Sequence, residues 1–143
     1  MPHPKPRWVR PLSLSVLCVT FGFLMANAAA QSPTMDEQNH IARGYALLRT
    51  GDARLSVEHP PLINVLEALP LPRDLTLPLE DWSWQVGEWY QFADLFLWER
   101  NPNPDRLVYL ARLPVVVLSL LLAAFASRWA RQLWGVGGGL LTL

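Results

Sequence analysis

The amino-acid sequence predicts an all-α integral membrane protein: two transmembrane helices, the start of a third, and an outer loop of amphipathic interfacial helices. Three observations lead there. Apolar residues make up 51% of the 143 residues and gather in two long segments. All twelve acidic residues lie between Asp36 and Asp105, in the stretch those segments bracket. The outer flanks are basic, with Lys5, Arg7 and Arg10 before the first segment and Arg128 and Arg131 after the second.

Residues 1–11 form a basic start. Leu12 to Ala30 is uncharged and long enough to cross ~30 Å of hydrocarbon as a helix. Basic flanks stay on the cytoplasmic side, which puts the N-terminus inside and residues 31–106 outside. A second reading of the first segment is a cleaved signal peptide. Ala26-Asn27-Ala28 and Ala28-Ala29-Ala30 both have the small-residue cleavage pattern.

The outer loop opens on a helix. Thr34 and Glu37 have capping-box spacing, Asp36 and Glu37 fall in the first turn, and Ile41, Tyr45 and Leu48 share one face. Gly51-Asp52 ends it. Pro60-Pro61 then starts a helix whose apolar stripe is Leu62, Ile63, Val65, Leu66 and Leu69, stopped by Pro70 and Pro72. Trp82, Val86, Trp89, Ala93 and Phe96 are spaced as one further helical stripe. Its aromatic density predicts a helix on the membrane surface or docked on neighbouring crossings. Asn101-Pro102-Asn103-Pro104 is a turn into the second crossing, Leu107 to Ala126. Arg112 is the only charge in that crossing, and its long stem can snorkel outward. Residues 127–135 read as a cytoplasmic loop. Residues 136–143, with Gly137-Gly138-Gly139, read as the start of a truncated third helix suited to close packing. That ending makes the chain an expected N-terminal fragment of a larger polytopic protein.

Charge and composition exclude several functions. The bases form no single patch, which argues against nucleic acid. The single cysteine, Cys18, permits no internal disulfide. There is no Gly-rich phosphate loop with a Lys, no Gly-x-Ser-x-Gly elbow and no His-Glu-x-x-His. A divalent metal held by Asp36, Glu37, His40 and His59 is conceivable, but ligand spacing this loose does not indicate one, so no cofactor is expected.

Taken in order, Asp36-Glu37-x-x-His40, Gly44-Tyr45, Leu48-x-x-Gly51-Asp52, Glu58-His59-Pro60-Pro61-Leu62 and Ala111-Arg112-Leu113-Pro114 form a pattern. It resembles the start of the membrane glycosyltransferases of the protein O-mannosyltransferase and lipid A aminoarabinose transferase type (glycosyltransferase family 39, the C-type fold). The resemblance runs from about residue 12 to the end, over the first quarter or so of such an enzyme. It implies transfer of a sugar from a polyprenyl-phosphate donor to a protein or glycolipid hydroxyl on the outer face. Asp36 would be the general base, with Glu37 as neighbour and understudy. A positioned carboxylate can take the proton of a hydroxyl that is otherwise a poor nucleophile. The resemblance casts His40, Arg43, His59 and Arg112 as substrate-binding residues, the arginines facing the phosphate leaving group. Without the later crossings the fragment alone is expected to be inactive. The alternative reading is a non-enzymatic membrane protein whose acidic, aromatic outer loop binds a partner.

Overall fold

The structure, a computed structural model, describes residues 7–56 and 60–143, so Glu58 and His59 lie outside it. The described residues are helical, without a strand. The elements are α1 (Val9–Ala30), α2 (Met35–Thr50), α3 (Leu62–Ala68), α4 (Trp82–Val86), α5 (Trp89–Asp94), a π-helical turn (Leu95–Glu99) and α6 (Pro104–Leu141). They fall into two compact units, one of residues 30–115 and one of residues 1–29 with 116–143.

The unit of residues 30–115 has a core of its own. Ile41, Ala42, Tyr45 and Ala46 of α2 are buried with Phe92 and Ala93 of α5, Phe96 and Leu97 of the π turn, and Leu107, Val108 and Ala111 of α6. Thr34 caps α2, and its amide donates to Glu37 Oε2 at 2.8 Å. Gly51 closes α2 in the left-handed region at φ 73°, a conformation that costs glycine least. The Tyr45 hydroxyl donates to the Pro72 carbonyl at 3.0 Å, tying α2 to the chain after α3. The turn before α6 is held by Asn101, whose Oδ1 accepts from the Thr76 amide at 2.8 Å and whose Nδ2 donates to Phe96 O at 2.8 Å. Asn103 takes a positive φ of 57°, and Pro104 opens α6, where its missing N–H leaves no bond unmade.

The structure shows which apolar faces of this unit are buried and corrects one expectation. The apolar stripe of α3 is not its buried face: Leu62, Ile63 and Leu69 are exposed, whereas Asn64 and Ala68 are buried. The reason is Gly44. A Cβ there would come within 1.8 Å of the Asn64 carbonyl oxygen, so the α2 and α3 backbones meet directly at this glycine. The stripe from Trp82 to Phe96 is not one helix. Gly87, at φ 75°, ends α4, and Glu88 caps α5 by accepting from the Gln91 amide at 2.6 Å. Its two halves also differ, because Trp82 and Val86 are exposed while Phe92, Ala93 and Phe96 form core. The second half is thus an interior element, packed with α2 and the start of α6, as the docked alternative has it. Finally, Leu48 lies outside the core that Ile41 and Tyr45 join.

In the other unit, α1 and α6 are both long and apolar enough to cross a membrane. Residues 127–134, expected as a loop, are helical, and α6 breaks only at Gly135 (φ 73°, ψ −165°). Beyond the break the chain doubles back. The Ser127 hydroxyl donates to the Gly139 carbonyl, twelve residues on, a separation that an unbroken helix would hold ~18 Å apart. Gly138 and Gly139 permit this approach. A Cβ on Gly139 would stand 2.8 Å from Arg131 Cβ and 2.9 Å from the Ser127 carbonyl oxygen. Much of both helices is exposed apolar surface, including Leu14, Val19 and Phe23 of α1 and Leu121, Leu122 and Phe125 of α6.

Candidate functional site

The acidic start of α2 is tied to α6 by Arg112. Asp36 and Glu37 occupy the first turn, where the unpaired amides and the helix dipole favour negative charge. Their environments differ. Asp36 is exposed, and its carboxylate makes no hydrogen bond or ion pair among the described residues. Glu37 is engaged by Arg112 in a two-pronged pair, Nε to Oε1 and Nη2 to Oε2, both at 2.7 Å. The same guanidinium donates from Nη1 to the Gln31 carbonyl at 2.8 Å and from Nη2 to the Ser32 carbonyl at 3.2 Å. Arg112 therefore fastens the start of α2 and the residues before it to α6. Planar fork geometry of this kind suits arginine and not lysine. The Arg112 guanidinium holds the Glu37 carboxyl below its ordinary value, against the opposing effect of partial burial.

His40 lies one turn further along α2. Its Nδ1–H donates to Asn64 Oδ1 at 2.9 Å, linking α2 to the buried face of α3. Arg43 is buried, with its guanidinium 4.2 Å from the centre of the Trp89 ring. That cation–π stacking offsets part of the cost of burying its charge. Asp36, His40 and Arg43 recur at helical spacing, but their exposure falls steadily along α2, from open to half-buried to buried. His59 lies outside the described residues.

Two residues beside these side chains were missed, Glu67 and Asn64. Glu67, on α3, is half-buried, and its Oε2 is sequestered without a hydrogen-bond partner. Burial, with a smaller push from the Glu37 charge, raises its carboxyl to about 7. A carboxyl at that value can hold or release a proton near neutral pH. The signal was present: Glu67 is the only charge in the run Leu62–Ala68, where Asn64 is the only other polar side chain. Asn64, three residues earlier and so on the same helix face, has a buried Nδ2 that also lacks a partner. Glu37, His40, Asn64 and Glu67 thus form a polar seam where α2 meets α3, and Asp36 stands in the open at its head. Among the described residues no group of three His, Cys, Asp or Glu side chains could hold a metal ion.

No protein-family model matches this chain, nor does any curated protein or solved structure.

Proposed function

We propose that this chain carries the acceptor-activating acid of a membrane glycosyltransferase that moves a sugar from a polyprenyl-phosphate donor to a hydroxyl on the outer face. In this reading α1 and α6 cross the cell membrane, the N-terminus is cytoplasmic and residues 31–106 lie outside. One observation carries the proposal. Asp36 is an exposed carboxylate with no partner among the described residues, one position from a carboxylate fixed by Arg112. A general base must be reachable by its substrate and rigidly carried. Asp36 meets both demands and Glu37, engaged at both oxygens, does not.

In the reaction the acceptor oxygen attacks the anomeric carbon as its proton passes to Asp36. The bond from that carbon to the phosphate oxygen breaks, and polyprenyl phosphate leaves with the bonding electrons. Arg112 acts as the clamp that positions α2, since Glu37 and the Gln31 and Ser32 carbonyls occupy its donors. His40 joins α2 to α3 through Asn64, and Glu67 of α3 can exchange a proton near neutral pH. Acceptors are proteins or glycolipids.

The test is Asp36→Asn in the complete reading frame, expressed in membranes and assayed with a lipid-linked sugar. Transfer should fall at least a hundredfold while membrane insertion is unchanged. Undiminished transfer would remove Asp36 as the base. A second reading, a partner-binding outer loop without catalysis, is favoured by one observation: Leu62, Ile63 and Leu69 present apolar side chains that the chain itself leaves uncovered. Under that reading Asp36→Asn is silent, and Leu62→Glu with Leu69→Glu abolishes partner binding.

A further inference from the structure

The unit of residues 1–29 and 116–143 contains a feature that sugar transfer does not use. Arg7 just before α1, Arg10 in its first turn, and Arg128 and Arg131 of α6 line one cavity of about 680 Å³. Arg128 and Arg131 are three residues apart on α6 and so share one side of it, and Arg7 and Arg10 line the same space. No Asp or Glu occurs in residues 1–29 or 116–143, and neither stretch can supply a counter-charge. Arg131 is held in place by donation from Nη2 to the Ser13 hydroxyl at 3.2 Å, while its buried Nε has no hydrogen-bond partner. Four like charges facing one space repel one another and raise the local concentration of anions.

We propose that this cavity binds the phosphate of an anionic phospholipid headgroup. Phosphate fits because guanidinium groups engage its oxygens in pairs, and the four basic residues lining the cavity are all arginine. A lipid rather than a free phosphate fits because of what surrounds the cavity. Trp8, Trp129 and Trp134 are all more than half exposed beside the cavity-lining residues, as tryptophans at the headgroup level of a bilayer are. The acyl chains would lie along exposed apolar side chains of the two helices, such as Leu14 and Leu133. This inference rests on the membrane-crossing reading of α1 and α6 and is independent of the glycosyltransferase reading.

The experiment is native mass spectrometry of the 143-residue chain in detergent, with equal amounts of phosphatidylglycerol and phosphatidylcholine. The chain should retain phosphatidylglycerol at least tenfold over phosphatidylcholine. Arg10→Gln with Arg128→Gln, both at exposed positions, should bring that ratio to within twofold of unity with unchanged far-UV circular dichroism. Arg100→Gln with Arg106→Gln, in the other unit, should leave it intact. In the unaltered chain the preference should fall severalfold between 0.1 and 0.5 M NaCl, a readout that needs no variant. Equal retention of the two lipids, or a preference that survives the Arg10 and Arg128 changes, overturns the proposal. Displacement of the lipid by millimolar inorganic phosphate overturns the assignment to a headgroup. Carbonate extraction separates this from the membrane reading: a chain released from membranes sinks that reading, whereas one retained without lipid preference sinks only the cavity.

Discussion

The two units of this chain solve the placement of polar groups in opposite ways. The unit of residues 30–115 contains all twelve acidic residues and joins polar side chains across its helices, Glu37 to Arg112, His40 to Asn64 and Trp98 to Gln38. The unit of residues 1–29 and 116–143 has no acid and leaves its arginines facing one another across a cavity. The first pairs Glu37 with Arg112 internally and so fixes the start of α2, where Asp36 stands exposed. The second holds no carboxylate side chain to pair with its arginines. Both use glycine where helices approach, but at different closeness, and that difference can be measured.

The largest expected effect is at Gly44. A methyl there meets backbone atoms of Asn64 at 1.8 and 2.3 Å, which no side-chain rotation relieves. Gly44→Ala should cost about 3 kcal/mol or more by forcing α2 and α3 apart. A thermal midpoint within a degree of the unaltered chain would mean that the helices do not meet as described. Gly139→Ala, with contacts of 2.8 to 3.0 Å partly to the flexible Arg131 side chain, should cost less, about 1–2 kcal/mol. If Gly139→Ala proved the costlier, the ranking of the two units would invert.

Glu37→Gln tests the internal pairing. It removes one charge of a pair whose side chains are only 28% and 15% exposed, and should cost about 2 kcal/mol, with Arg112→Met costing a similar amount. The pH dependence follows in sign. Arg112 lowers the Glu37 carboxyl from 4.5 in the folded state. The stability it contributes is therefore present above 4.5 and lost as pH falls through the folded value. The stability difference between the unaltered chain and Glu37→Gln should shrink on acidification, read by thermal melts from pH 7 to 3.

Glu67 runs the other way. Its folded value of about 7 lies above the unfolded value of 4.5. The folded state binds the extra proton between them, and stability declines as pH rises through that window. Glu67→Gln should be neutral at pH 4 and stabilising at pH 8 by about 1 kcal/mol, after allowance for the partial exposure of the group. A stabilisation that does not change with pH would reject its raised value. The smallest effect belongs to the other unit. Gly22, in α1, has nothing within 4 Å of a Cβ, so Gly22→Ala should change stability by less than about 1 kcal/mol and in the favourable direction. A larger loss would reveal a close neighbour at that face of α1.

Much of the fold was legible in the sequence. Local chemistry specified the bounds of α2, because Thr34, Glu37 and Gly51 act on backbone groups within a turn of themselves. The Asn101–Pro104 turn, the start of α3 after Pro61 and the two long apolar helices were legible for the same reason. The break at Gly87 was not, because the spacing of Trp82, Val86 and Trp89 continues across it and only the positive φ reveals the interruption. In the site, Asp36, Glu37, His40, Arg43 and Arg112 were legible as residue types, but Glu67 and Asn64 were hidden in an apolar stripe.

The sequence by itself determined the bounds of α2, the start of α3, where charge is confined, and which segments are apolar enough to cross a membrane. These depend on neighbours along the chain and on totals over a segment. Only the tertiary structure decided that α3 buries Asn64 and Ala68 instead of its leucines, that Arg112 is spent on Glu37, and that Glu67 is desolvated enough to titrate near neutrality. Each of these depends on which surface a neighbour covers. Periodicity shows which side chains share a face; close approach at a single glycine decides which face is covered.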